Sequence, residues 1–126
     1  MQEIVVRSWN ELNECLYEES WSERLGRFRS NFAFRGMQDA GFDLTTSLVR
    51  LGGVYEAHED DLLRNFRKYA FHEATMGDSI WNWLALAQHH GLPTRLLDWT
   101  YSPFVGMHFA TADLEMFEVD GIIWCV

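Results

Sequence analysis

The chain has 126 residues and a formal net charge of −9, with 48% hydrophobic and 15% aromatic residues. That length favours one domain with a real core, and that composition excludes a disordered chain. Lys68 is the only lysine, which disfavours bulk nucleic-acid binding, and no apolar run reaches spanning length, so a soluble, cytoplasmic protein is expected.

In chain order, residues 4–7 read as a short strand. Ser8-Trp9-Asn10-Glu11 follows as a capping box, and Leu12, Cys15 and Leu16 continue as a helical stripe ending near Ser20. Cys15 and Cys125 lie far apart in sequence without metal-ligand spacing, so reduced thiols are expected. Residues 31–35 read as a strand in which Phe32 and Phe34 share one face and Arg35 takes the other. Gly36 then permits a sharp turn or a close backbone approach. Leu44, Leu48 and Leu51 are helical or irregular, and Gly52-Gly53 is a break.

The longest helical pattern runs from Glu59 to about Thr75, with Leu62, Leu63, Phe66, Tyr69 and Ala70 on its apolar face and Gly77 as its end. Asp78 or Ser79 can cap a second helix through Trp81, Leu84 and Ala87 to His89 or His90. Gly91 is its expected left-handed terminator, and Pro93 prevents continuation. Residues 94–99 read as a strand with Thr94, Leu96 and Asp98 on one face. Ser102-Pro103 starts a last helix containing Val105, His108, Phe109 and Ala112. Asp120-Gly121 is a turn, and residues 122–126 form an apolar strand, either an edge or a strand awaiting a further segment. The sum is an α+β domain, a small sheet with helical insertions.

The stretch Gln88 to Thr100 packs Gln-His-His, Thr-Arg and Asp-Trp-Thr around a Gly and a Pro. Such density of polar groups indicates a built site or a constrained polar junction. Arg35 can present its planar fork to a phosphate or ribose, or can sit in a buried ion pair. Asp98, flanked by Leu97 and Trp99, reads as a half-buried carboxylate that fixes Arg35 or Arg95, with general-base work as its second role. Adjacent histidines point about 100° apart on a helix, so His89 and His90 are not expected to share a metal. Ser102 is a helix cap before it is a nucleophile.

Three parts of the chain together resemble the FRG domain, a bacterial and phage-associated family. Phe34-Arg35-Gly36 stands for its naming motif, Leu44 to Arg50 for its Leu-x-x-Ser-Leu-x-Arg, and Gln88 to Thr100 with Ser102-Pro103 and Phe109-Ala110 for its second signature. The resemblance spans Phe32 to Val126. Met37 departs from the usual Gln after the glycine, and Gly106 stands where a residue such as Ala is more usual. The element order also resembles that of NAD-using ADP-ribosyltransferases, in which an early-strand Arg or His meets NAD and a late-strand Glu completes the site. Arg35 and Thr100 fill the first positions of that analogy. The Glu is missing, since Glu115 and Glu118 precede Gly121, which implies that this chain alone is inactive as a transferase.

These readings place Arg35, Gly36, Gln88, His89, Thr94, Arg95, Asp98 and Thr100 in one polar pocket. One expectation is that it takes NAD or another nucleotide-like anion. The other is a non-catalytic acidic module, in a phage or defence setting, that binds a basic protein surface. In a third, the polar block only locks the fold.

Overall fold

A computed structural model describes residues 2–70 and 79–126. Among them are five α-helices and two small antiparallel sheets, an α+β architecture. The chain divides into two compact units, the first Met1–Phe42 with Asp98–Val126 and the second Asp43–Leu97.

In the first unit residues 4–7 are irregular rather than a strand. Helix α1 spans Trp9–Tyr17, and the Ser8 hydroxyl accepts from the Glu11 amide at 3.2 Å. The Glu11 carboxylate reaches back one residue beyond the cap, accepting from the Arg7 amide at 2.7 Å. Glu19, in the left-handed region at φ 54°, turns the chain into a hairpin of β1, Trp21–Ser22, and β2, Arg27–Phe28. Two-residue strands carry no readable periodicity, so the sequence did not announce them.

Strand β3 spans Phe34–Met37 and pairs antiparallel with β4, Ile122–Cys125, in the register Phe34↔Cys125 to Met37↔Ile122. On its other side Phe34 exchanges both main-chain hydrogen bonds with Thr100, at 2.7 and 2.9 Å. The expected strand therefore starts later and continues through Gly36, which sits within it. Phe34 is buried with Leu16 and Met107, whereas Phe32 lies before the strand and is exposed, so the two rings do not share a face.

Helix α5, Pro103–Thr111, lies against β3 and β4 and buries Pro103, Gly106 and Met107. The expected face of Val105, His108, Phe109 and Ala112 is instead exposed. The reason is the closeness of the packing: the helix meets the sheet through its smallest residue. A Cβ on Gly36 would overlap the Gly106 carbonyl oxygen and stand 2.8 Å from the Ala110 nitrogen. A Cβ on Gly106 would meet only the Phe34 Cβ at 3.1 Å and the Ile123 Cγ2 at 3.6 Å. Gly106→Ala is thus expected to change stability by less than about 1 kcal/mol, because the gain in helix propensity offsets the tight contact. A thermal-unfolding midpoint shifted by more than roughly 6 °C would contradict that account.

In the second unit, α2 is Ser47–Arg50, capped by the Thr46 hydroxyl, and Gly52 and Gly53 follow with φ near 73° and 72°. Helix α3 spans Tyr55–Tyr69, starting a turn before the expected Glu59. Its inner face carries Leu63 and Ala70; Tyr69 points to solvent, against expectation. The expected run to Thr75, the Gly77 stop and the Asp78 cap lie outside the described residues. Helix α4 is Ile80–His89 and buries Trp83, Leu84 and Ala87, while Trp81 is exposed. Ser79 occupies its cap position without a side-chain bond. Gly91 takes φ 85°, the Leu92 amide donates to Ala87 O at 2.9 Å and the Gly91 amide to Gln88 O at 2.9 Å. Those are the two hydrogen bonds of a Schellman ending, as Gly91 foretold.

Candidate functional site

Arg35, Gly36, Asp98 and Thr100 belong to the first unit, and Gln88, His89, Thr94 and Arg95 to the second. The stretch 94–99, read as a strand, has no ladder; only Thr100 forms a bridge.

In the first unit Arg35 is half-buried on β3, opposite Trp124 in the strand register. Its Nη1 donates to the Asp98 main-chain carbonyl at 2.8 Å. Asp98 is exposed, not half-buried as its apolar neighbours suggested, because the segment runs outside the sheet instead of within it. The space beside Gly36 is filled by α5. Its close backbone approach, anticipated from the sequence, is made by the protein's own helix. The Thr100 hydroxyl accepts from the Ser102 amide at 3.0 Å and so shapes the entry to α5, whereas the Ser102 side chain makes no capping bond. Thr100 thereby joins two local tasks, pairing with Phe34 and turning the chain into the helix.

The second unit carries the denser network. Thr94 is buried, its amide donates to Ser47 Oγ at 3.2 Å, and its hydroxyl donates to Gln88 Oε1 while accepting from the Leu96 amide at 3.2 Å. Its carbonyl accepts from the Leu48 amide at 3.3 Å and the Ser47 hydroxyl at 3.4 Å. Every polar group of Thr94 is thus used within the unit, as a buried threonine requires. Gln88, half-buried, is the acceptor that holds its hydroxyl.

Among the described residues Arg95 pairs with the carboxylate of Glu59, which sequence reasoning missed. Glu59 is 2% exposed, accepts from the Arg95 amide at 2.9 Å through Oε1, and takes Nε and Nη2 of the Arg95 guanidinium on Oε2. One carboxylate therefore grips both the main chain and the side chain of the same residue, with charge-assisted bonds that pin the loop after α4. A signal was available. Glu59 lies four residues before Leu63 and seven before Phe66, on the apolar stripe of α3. A carboxylate on such a stripe needs a cation. Of the Arg95 side chain, 52% is exposed.

His89 and His90 are both exposed at the end of α4. Their rings meet edge to face at 5.6 Å, and His90 also touches Phe66 at 5.7 Å. Among the described residues no three His, Cys, Asp or Glu side chains converge as a metal-ligand set. Partial burial first, and then the neighbouring Cys15, push the Cys125 thiol up from its ordinary value. Strand β4 carries no acid, Glu115 lies in the 3-10 turn Leu114–Met116, and Glu118 follows it.

The family model described as FRG domain matches residues 30–118, well over half of the chain. No curated protein and no solved structure matches it.

Proposed function

The chain belongs to the FRG domain family, and we propose that it is a non-catalytic interaction module whose acidic surface binds a basic protein surface, in a phage or bacterial-defence setting. The observation that carries this reading is the engagement of the signature residues inside the fold. Gly36 receives α5, Thr94 is bonded to Ser47 and Gln88, and Arg95 is held by Glu59. Groups committed in this way position the chain and do little chemistry. The net charge of −9 then supplies the recognition, through complementarity that steers and selects more than it tightens.

The experiment is a pull-down on the immobilised chain at about 0.05 M and about 0.5 M salt, which changes the screening length severalfold. Partner retention at least about 10-fold weaker at the higher salt, and unchanged by Arg35→Ala, is the expected result. Retention indifferent to salt, or lost in a folded Arg35→Ala variant, overturns it.

A second reading keeps Arg35 or Arg95 as the binder of a nucleotide-like anion such as NAD. It is favoured by the partial exposure of Arg95, 52% of whose side chain is accessible. Calorimetric heat on titrating NAD that disappears in Arg35→Ala or Arg95→Ala would put this reading first. A transferase-like fold would be part of it.

A further inference from the structure

The cationic charge of this acidic chain is unevenly placed. Three of its ten basic residues, Arg24, Arg27 and Arg29, fall on the β1–β2 hairpin. This hairpin precedes the segment matched by the family model. All three arginines are exposed, and among the described residues no hydrogen bond or ion pair engages their side chains. Arg24 and Arg29 line a cleft of about 310 Å³ together with Trp21, Leu25, Ser22 and one carboxylate residue, Glu19. Trp21 is 54% exposed and Phe28, its cross-strand neighbour, 60%, with ring centroids 5.0 Å apart. Tyr17 of α1 packs on Phe28 and Phe104 of α5 on Tyr17, each at 5.5 Å. Exposed aromatic rings beside exposed arginines are the composition of interface anchors.

The same unit presents the opposite chemistry elsewhere. Residues 113–120 carry Asp113, Glu115, Glu118 and Asp120 and no cation. Between them Leu114 is 82% and Phe117 80% exposed. Leu114 opens the 3-10 turn and Phe117 caps it three residues later, a spacing at which 3-10 side chains fall on one side. The turn is held in shape: the Asp113 carboxylate accepts from the Glu115 amide at 3.0 Å, and the Val119 amide donates to Met116 O at 3.0 Å. A preordered turn loses less entropy on docking.

We propose that the hairpin cleft receives the 113–120 turn of a second copy of this chain. Leu114 or Phe117 enters beside Trp21, and Glu115 and Glu118 meet Arg24 and Arg29. Two such contacts close a symmetric dimer, in which each copy gives its turn and receives the other's. The net charge of −9 opposes approach at long range, but at about 0.15 M salt the Debye length of about 8 Å screens that repulsion and leaves contact-range pairs. The proposal concerns self-association and stands apart from the foreign partner proposed above.

A charge exchange tests it. Sedimentation velocity on the 126-residue chain at about 0.15 M salt, from about 10 μM to about 1 mM, should show a dimer in the parent. Arg24→Glu with Arg29→Glu should weaken association at least about 10-fold. Glu115→Arg with Glu118→Arg should do the same, although this pair lowers the net repulsion and would strengthen any generic charge-driven association. All four positions are exposed, and circular dichroism should show parent-like folding. An equimolar mixture of the two variants restores both contacts and should bring association back to within about 3-fold of the parent. A parent that stays monomeric to about 1 mM, a variant that associates like the parent, or a mixture that fails to recover overturns the proposal.

Discussion

Gly36→Ala is expected to cost at least about 3 kcal/mol, at or beyond the upper end of overpacking penalties. The new methyl group would sit on the Gly106 carbonyl and Ala110 amide, which are i, i+4 partners of one turn of α5. Neither is the far end of a flexible side chain, so no rotamer change relieves the overlap. Either α5 moves off the sheet, uncovering Phe34 and Met107, or β3 separates from β4 and Thr100. Both lose the central packing of the first unit. Folding free energies of about 5–15 kcal/mol leave little margin for such a loss. The measurement is thermal or urea unfolding beside Gly106→Ala. A drop of roughly 10 °C or more in the Gly36→Ala midpoint is expected, and a midpoint within about 2 °C of the parent would refute the packing account.

Glu59→Ala is expected to destabilise the chain by about 2–4 kcal/mol. The substitution removes the acceptor of the Arg95 amide and of its guanidinium together, and leaves a void against the apolar face of α3. The loop carrying Thr94 is then held by Ser47 and Gln88 without its charged anchor. The discount for Arg95 being half-exposed keeps the value below that of a fully buried pair. Glu59→Gln keeps an acceptor for the amide and should cost less than Glu59→Ala. Urea unfolding of both variants decides the matter. Equal losses would mean that the charge alone matters, and no loss in either would mean that the clamp contributes nothing to stability.

Legibility varied along the chain for physical reasons. Features enforced by nearest neighbours in sequence were readable: the Ser8 cap, the Gly91 ending and Pro103 at the first position of α5. The buried face of α5 was not. Hydrophobicity favoured Val105, His108 and Phe109, but contact with the sheet is made by the residue that lets two backbones approach, Gly106. Residues 94–99 alternated like a strand, yet side-chain bonds from Glu59, Ser47 and Gln88 hold their start in an irregular path instead of a ladder. Tyr69 and Trp81 fitted the apolar periodicity of their helices and still face solvent. Periodicity states which residues share a face, and the neighbours of that face decide how much of it is covered.

Family, α+β class and the ends of several helices were legible in the residues alone, because these depend on local backbone preference and on motifs read in a row. The tasks of the signature residues emerge from the folded arrangement. Gly36 serves helix packing because Gly106, 70 positions later, lies against it, and Arg95 serves loop anchoring because Glu59, 36 positions earlier, is buried beside it. Such long-range pairings depend on which surfaces the folded chain brings within a few ångströms, and no local pattern encodes that distance.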